Sequence, residues 1–344
     1  MSRILAPRGR WSVAALVLSL ALAGGSAAAM ATSDDHSGLP SDVAFRVDGR
    51  NVTVKELNAR IATLTALYSL KKPTSGSALS TFNRDAAKSM AVSIILDMQA
   101  RARGISISAA QAQTGLNTVI QQDLNGDSSQ FTAFLTRTHV TQDEVLTEIS
   151  RTLATGQLYS KITAAVTAPT TAQAQADYNA HQTQMVSPEQ RTLSNIVVAT
   201  EADGNKVIDQ LKAGAGFAAV AKAESLDTST NSKGGALGTV TQSQLDSAYG
   251  TAAFAAKDGA VFGPIKNSSG SWYVGRVDAV IPSRQLSFAQ VKNTLISALL
   301  TQAQTKVWDA WLTKVIVAAA VNYAPAYRPA DPNSAPSSAG ASSS

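Results

Sequence analysis

The stretch that most constrains this chain is residues 191–280, where strand-like and helix-like patterns alternate around one tight glycine turn, Gly234-Gly-Ala-Leu-Gly238. Thr192–Val198 is an apolar run of strand length, and helical patterning covers 202–211. The turn Gly214-Ala-Gly-Phe217 leads into a second helix carrying Phe217, Val220 and Ala221. From Trp272 to Val280 the residues alternate as a closing strand, with Trp272, Val274 and Arg276 on one face and Tyr273 and Val277 on the other. Local physics therefore predicts a small α+β domain here.

The flanks read as helical. Val43–Gly49 is a short strand and turn, followed by the capping box Thr53-Val-Lys-Glu56 and a helix to about Leu70. After a Ser/Pro/Gly loop (72–80), a second helix places Met90, Ile94, Ile95 and Met98 on one face and ends at Gly104. Helices are also expected over 108–124, 129–137 and 141–165, the last opened by Thr141 and Glu144. The box Thr170–Gln173 starts a helix toward His181, and Ser287–Gln290 opens a long amphipathic one with Val291, Leu295, Leu299, Val307, Trp311 and Val315. The tail from Ala326 is rich in Pro, Ala and Ser and has little to bury, so disorder is expected there.

Charge and composition remove several classes. The formal charge is +5, but Arg3, Arg8 and Arg10 lie in the first ten residues, and without them 26 basic residues face 24 acidic ones. That balance is no nucleic-acid footprint. The basic start, the apolar run Trp11–Ala23 and the small residues 24–31 have the layout of a secretory signal peptide. Either it is cleaved near Ala29 or Ala31, or it stays as an anchor, which would be the chain's only membrane contact. With no cysteine there is neither a lipoprotein cysteine nor a disulfide framework. Three scattered histidines give no metal-ligand cluster, and no cofactor motif is present.

Residues 188–282 resemble a parvulin, a peptidyl-prolyl isomerase domain. The resemblance rests on Arg191–Val198, Gly216–Ala221, the Ser/Asp loop and glycine turn Ser225–Gly238, Tyr249–Phe254, Gly259, Gly263-Pro264 and Gly270. Val43–Gly49 and Ala100–Ser108 likewise resemble the N-terminal chaperone segment of SurA/PrsA-type foldases. After the signal peptide (1–31) and a polar linker (32–40), the resemblance implies a mostly helical chaperone domain (41–187) completed discontinuously by a helix at 285–322. It further implies a parvulin-like α+β domain (188–282) with a four-stranded antiparallel sheet, before a disordered tail (326–344).

By the same resemblance the proline ring would be held by Leu245, Tyr249 and Phe254. The polar floor would be Ser194, Asn195, Asp227, Thr228 and Asn267. The two histidines usual in the family are replaced by Asn195 and Trp272, and the acidic residue usual in the glycine turn is Ala236; His36, His139 and His181 all lie outside the segment. Taken by themselves, Leu245 and Phe254 read as core filler before pocket lining, and Asp227 as a turn or cap residue as well as an active-site carboxylate; the resemblance is what brings the pocket reading level. The implied partners are unfolded exported polypeptides and their X-Pro segments, with no cofactor, in an extracytoplasmic setting. Two functions stay open: a chaperone with weak or absent isomerase activity, or a fully active isomerase.

Overall fold

The computed structural model describes residues 38–336. The expected signal peptide, all but the end of the linker and the tail residues 337–344 lie outside the described residues. Architecture is α+β, and the described chain divides into two compact units, residues 169–297 and residues 38–168 with 298–336.

The first elements form the helical unit. β1 (Val43–Val47) and β2 (Arg50–Thr53) make an antiparallel hairpin. α1 (Val54–Tyr68) follows directly, its N-terminus closed by the Thr53/Glu56 box: the Glu56 amide donates to Thr53 Oγ1 at 3.1 Å and the Thr53 amide to Glu56 Oε2 at 2.7 Å. α2 (Gly76–Ala102) begins inside the expected loop, because Ser77-Ala-Leu-Ser-Thr continues the helix once Phe82, Ala86 and Ala87 are buried. α3 (Ala109–Asp123), α4 (Ser128–Thr138) and α5 (Gln142–Thr163) complete the run. Boxes at Ser108/Gln111 and Thr141/Glu144 satisfy helix-end amides that would otherwise lack partners. One core joins β1, β2, α1, α2 and Leu158 of α5; another packs Leu116, Phe131, Phe134, Val145 and Ile149 together.

Next comes the unit built on the sheet. α6 (Thr171–Ala180) is opened by the Thr170/Gln173 box. β3 (Val186–Ser187) leads to β4 (Gln190–Val198), then α7 (Glu201–Lys212) and α8 (Phe217–Glu224). β5 (Ala236–Thr241), α9 (Ser247–Ala255), β6 (Val261–Lys266) and β7 (Trp272–Ile281) finish the sheet. Its strand order is β5-β4-β7-β6 and every pairing is antiparallel, as expected for residues 188–282. β8 (Arg284–Gln285) pairs with β3.

α10 (Phe288–Ala319) starts in this unit, where Phe288 packs edge-on to Tyr178 at 5.8 Å, and ends in the helical unit. There Trp308, Leu312 and Ile316 join the first core, and β9 (Asn322–Tyr323) adds to the free side of β1. Residues 326–336, expected to be disordered, are placed in the described structure: Tyr327 and Ala335 pack on the helical core and Pro329 is buried. No helix among the described residues is long and apolar enough to cross a membrane.

Candidate functional site

Strand alternation sorts the candidate residues onto two faces of the sheet. In β4, Leu193, Asn195 and Val197 point one way; their partners across β7 are Val277, Gly275 and Tyr273. Directly opposed residues of an antiparallel pair share a face. This face is covered by α9 and forms one cluster: Leu193, Val197, Tyr249, Ala253, Tyr273 and Val277, with Leu245, Phe254 and Phe262 at its margin. The other face carries Ile196, Val198 and Val274 against Val207, Phe217 and Val220 of α7 and α8.

The structure brings together Leu245, Tyr249 and Phe254, the expected ring-holding residues, with Asn195 on the same face. Tyr249 packs at 5.2 Å from Phe262 and at 5.1 Å, edge-on, from Tyr273. Those rings lie over Gly275, where a β-carbon would stand 2.2 Å from Phe262 and 2.6 Å from the Tyr249 hydroxyl. Trp272 is not among them. It pairs with Val198 and packs on the α7/α8 cluster, so the aromatic residue facing Tyr249 is its neighbour Tyr273. Ser194 is likewise on that other face, donating to Asp278 Oδ2 at 2.6 Å, while Arg276 lies 4.8 Å over the Phe217 ring.

The polar floor is tightly occupied. Asp227 is 4% exposed, and its carboxylate accepts from the Ser229 amide (3.1 Å), Ser229 Oγ (2.6 Å) and Thr230 Oγ1 (2.7 Å). Burial alone would raise its pKa; the Ser229 and Thr230 hydrogen bonds outweigh that and hold the carboxyl below the ordinary value. Thr228 points to solvent, and it is Thr230 that turns inward to bridge Asp227 and Asn195 Oδ1 (3.3 Å). Asn267 closes the β6–β7 hairpin, its Oδ1 accepting from the Ser269 and Ser271 amides at 3.0 and 2.8 Å. Two buried groups stay unpartnered: Asn195 Nδ2 and the Tyr249 hydroxyl. Burial raises the pKa of Tyr249 and of Tyr273, so both remain neutral phenols at physiological pH.

Arg191, at the base of β4, fixes α9. Its guanidinium donates to the Ala253 and Ala256 carbonyls at the helix end, pairs with Glu189 at 2.7 Å and lies 5.0 Å over the Phe254 ring. A cation at a helix C-terminus satisfies carbonyls that have no intrahelical partner and opposes the helix dipole. Asp246 holds the other end, accepting from the Ala248 amide and from the Ser268 amide of the β6–β7 hairpin. The glycine turn serves the floor: Gly235 has φ +85°, its carbonyl accepts from the Asn195 amide at 2.8 Å, and a β-carbon there would sit 2.3 Å from the Asn195 carbonyl oxygen.

Sequence reasoning did not reach Arg191, Thr230, Phe262, Tyr273 or Gly275 as site-shaping residues. The alternation of β7 held the signal for Tyr273 and Gly275 once paired with that of β4. Arg191 acts through tertiary contacts with no local pattern, while Thr230 meets Asp227 three residues away and reaches Asn195 only through the fold.

Residues 169–293 match the family described as PPIC-type PPIASE domain. The chain is 31% identical over 164 residues to a foldase protein PrsA of Clostridium kluyveri, covering 46% of this chain and 48% of that protein. It is 34% identical over 115 residues to foldase protein PrsA 2 of Listeria innocua, covering 33% and 38%. The chain thus spans about half the length, or less, of these curated relatives. Among solved structures it is similar to one of two SurA-like chaperones of Campylobacter jejuni, at 21% identity, 80% and 98% coverage and a TM-score of 0.37.

Proposed function

We propose that this chain, a SurA/PrsA-type foldase by its PPIC-type domain, works outside the cytoplasm as a folding factor that binds unfolded exported polypeptides, with weak or absent prolyl isomerase activity. In this reading residues 1–31 are the export signal and residues 41–187, completed by 285–322, are the chaperone domain. Residues 188–282 form a peptide-binding module whose ring pocket is Leu245, Tyr249 and Phe254.

One observation supports it: Leu245, Tyr249 and Phe254 share one cluster on the Asn195 face, while Asp227 beside them is buried and committed to its own loop. Rotation about a prolyl bond faces a barrier of roughly 18–20 kcal/mol, and a catalyst must favour the twisted amide over both planar forms. Binding the ring needs only apolar surface. Favouring the twisted amide needs donors that reach its carbonyl or nitrogen. Asp227 is an ionised acceptor already filled by Ser229 and Thr230, with no proton to donate, and no histidine lies between residues 188 and 282. Trp272 contributes to the support of the sheet's other face rather than to the floor.

The alternative, a fully active isomerase, is favoured by one observation, the unpartnered Asn195 Nδ2 beneath the ring face. A protease-coupled assay on an X-Pro peptide, run beside an aggregation assay on an unfolded client, separates the two. The expected result is kcat/KM near background with aggregation suppressed. A robust rate abolished by Asn195→Ala would overturn the chaperone reading in favour of the enzyme. If a residual rate is present, Phe254→Ala should remove it.

A further inference from the structure

We propose that the face of α2 carrying Arg84 and Lys88 is a binding site for an extended, proline-containing peptide segment, occupied here by the chain's own residues 325–336. The inference rests on the foldase reading only for the identity of the competing ligand.

The occupant is legible. After β9 the chain runs Pro325-Ala-Tyr-Arg-Pro329-Ala-Asp-Pro332-Asn-Ser-Ala-Pro336, four prolines in twelve residues. Apart from one short helical turn at Pro325–Tyr327 it has no helix or strand of its own. Its hold on α2 consists of side-chain contacts spaced along the segment. Arg84 Nε donates to the Ala326 carbonyl at 3.4 Å and Lys88 Nζ to Ser334 Oγ at 2.9 Å. Asp331 lies close enough to Lys88 to favour its charged form, against a larger effect of burial that lowers the Lys88 pKa. Apolar contacts alternate with these: Tyr327 and Ala335 rest on the core cluster and Pro329 is buried.

This is how a surface takes an extended peptide: a cation for a carbonyl, a cation for a hydroxyl and an acid, and apolar seats between them. Prolines lower the entropy cost because the segment is already extended before it binds. The occupant's chemistry is also that of the chain's proposed clients, since it presents Ala-Pro, Arg-Pro, Asp-Pro and Ala-Pro bonds. Tethering gives the tail a high effective concentration, so a client in trans sees a site that is mostly filled.

The test uses the full chain and a fluorescein-labelled peptide of residues 324–336. Pro329→Asp places a charge in a buried seat and should unseat the tail, so the labelled peptide should bind this variant about tenfold more tightly than wild type. Adding Lys88→Glu, which repels Asp331, should abolish that gain. In wild type, tail amides should exchange hydrogen much faster than those of α2. The proposal fails if Pro329→Asp, with unchanged helical circular dichroism, binds no better than wild type, or if the tail exchanges as slowly as α2, as a permanent part of the core would. Carboxymethylated lactalbumin, permanently unfolded, then competes with the peptide. If the peptide binds Pro329→Asp and this client does not displace it, the α2 site stands as a seat for the chain's own tail and is not where clients bind; the chaperone reading itself fails only if the full chain also does not suppress the client's aggregation.

Discussion

Asp227 and Tyr249 are both sealed from water, at 4% and 2% exposure, but their polar atoms have opposite fates. Three donors meet the Asp227 carboxylate; none meets the Tyr249 hydroxyl. An unmet buried hydroxyl opposes folding, so Tyr249→Phe should leave stability unchanged or raise it by about 1 kcal/mol in urea denaturation. Asp227→Ala strips partners from Ser229 and from buried Thr230 and should cost about 2 kcal/mol by the same measurement. Because the folded pKa of Asp227 lies below its ordinary 3.8, its stabilisation is full above that value and is lost as pH falls through the lower folded one. Acid unfolding of wild type should therefore steepen below about pH 4, and that component should be absent in Asp227→Ala.

At the scale of elements, α9 carries Tyr249 and Phe254 and is held from both ends, by Asp246 at its start and Arg191 at its finish. Arg191→Leu keeps the apolar stem but leaves the Ala253 and Ala256 carbonyls and Glu189 unpaired. It should weaken binding of a labelled X-Pro peptide and speed hydrogen exchange at the end of α9, while Arg191→Lys restores part of both. In β7, Gly275→Ala would force a methyl into the space of Phe262 and Tyr249. Overpacking of that kind costs about 1–3 kcal/mol, and the loss of peptide binding should exceed that of the more distant Val261→Ala.

Across the whole molecule, the helical unit depends on chain that returns late: Trp308, Leu312, Ile316 and Tyr323 are buried in a core otherwise built from residues 44–158. Trp308→Ala should cost about 3–5 kcal/mol, seen as a lowered melting temperature of that unit with the sheet unit's own transition unmoved. Peptide capture by residues 188–282 should vary little between about pH 5 and 8. That stretch holds no histidine, Asp227 titrates low, and burial moves Tyr249 and Tyr273 high.

Much of this was legible locally. The capping boxes at Thr53, Thr141 and Thr170 are three-residue signals whose hydrogen bonds close within one turn, so neighbours in sequence suffice to specify them. Runs of alternation and a glycine turn marked a small α+β domain, and the four-stranded antiparallel sheet was what the parvulin resemblance implied. The sequence by itself also put Trp272 and Tyr273 on opposite faces of β7, since successive strand residues must diverge. It could not say which face meets Asn195. That depends on the register between β4 and β7, which shifts between Thr192 and Leu193, and a one-residue slip exchanges every side chain between faces. Only the packed sheet decided that Tyr273 faces Tyr249 and that Trp272 supports α7 and α8. Disorder was likewise a fair expectation for the proline-rich tail, which can bury little on its own. Its seat on α2 comes from contacts with Arg84 and Lys88, more than two hundred residues earlier in the chain.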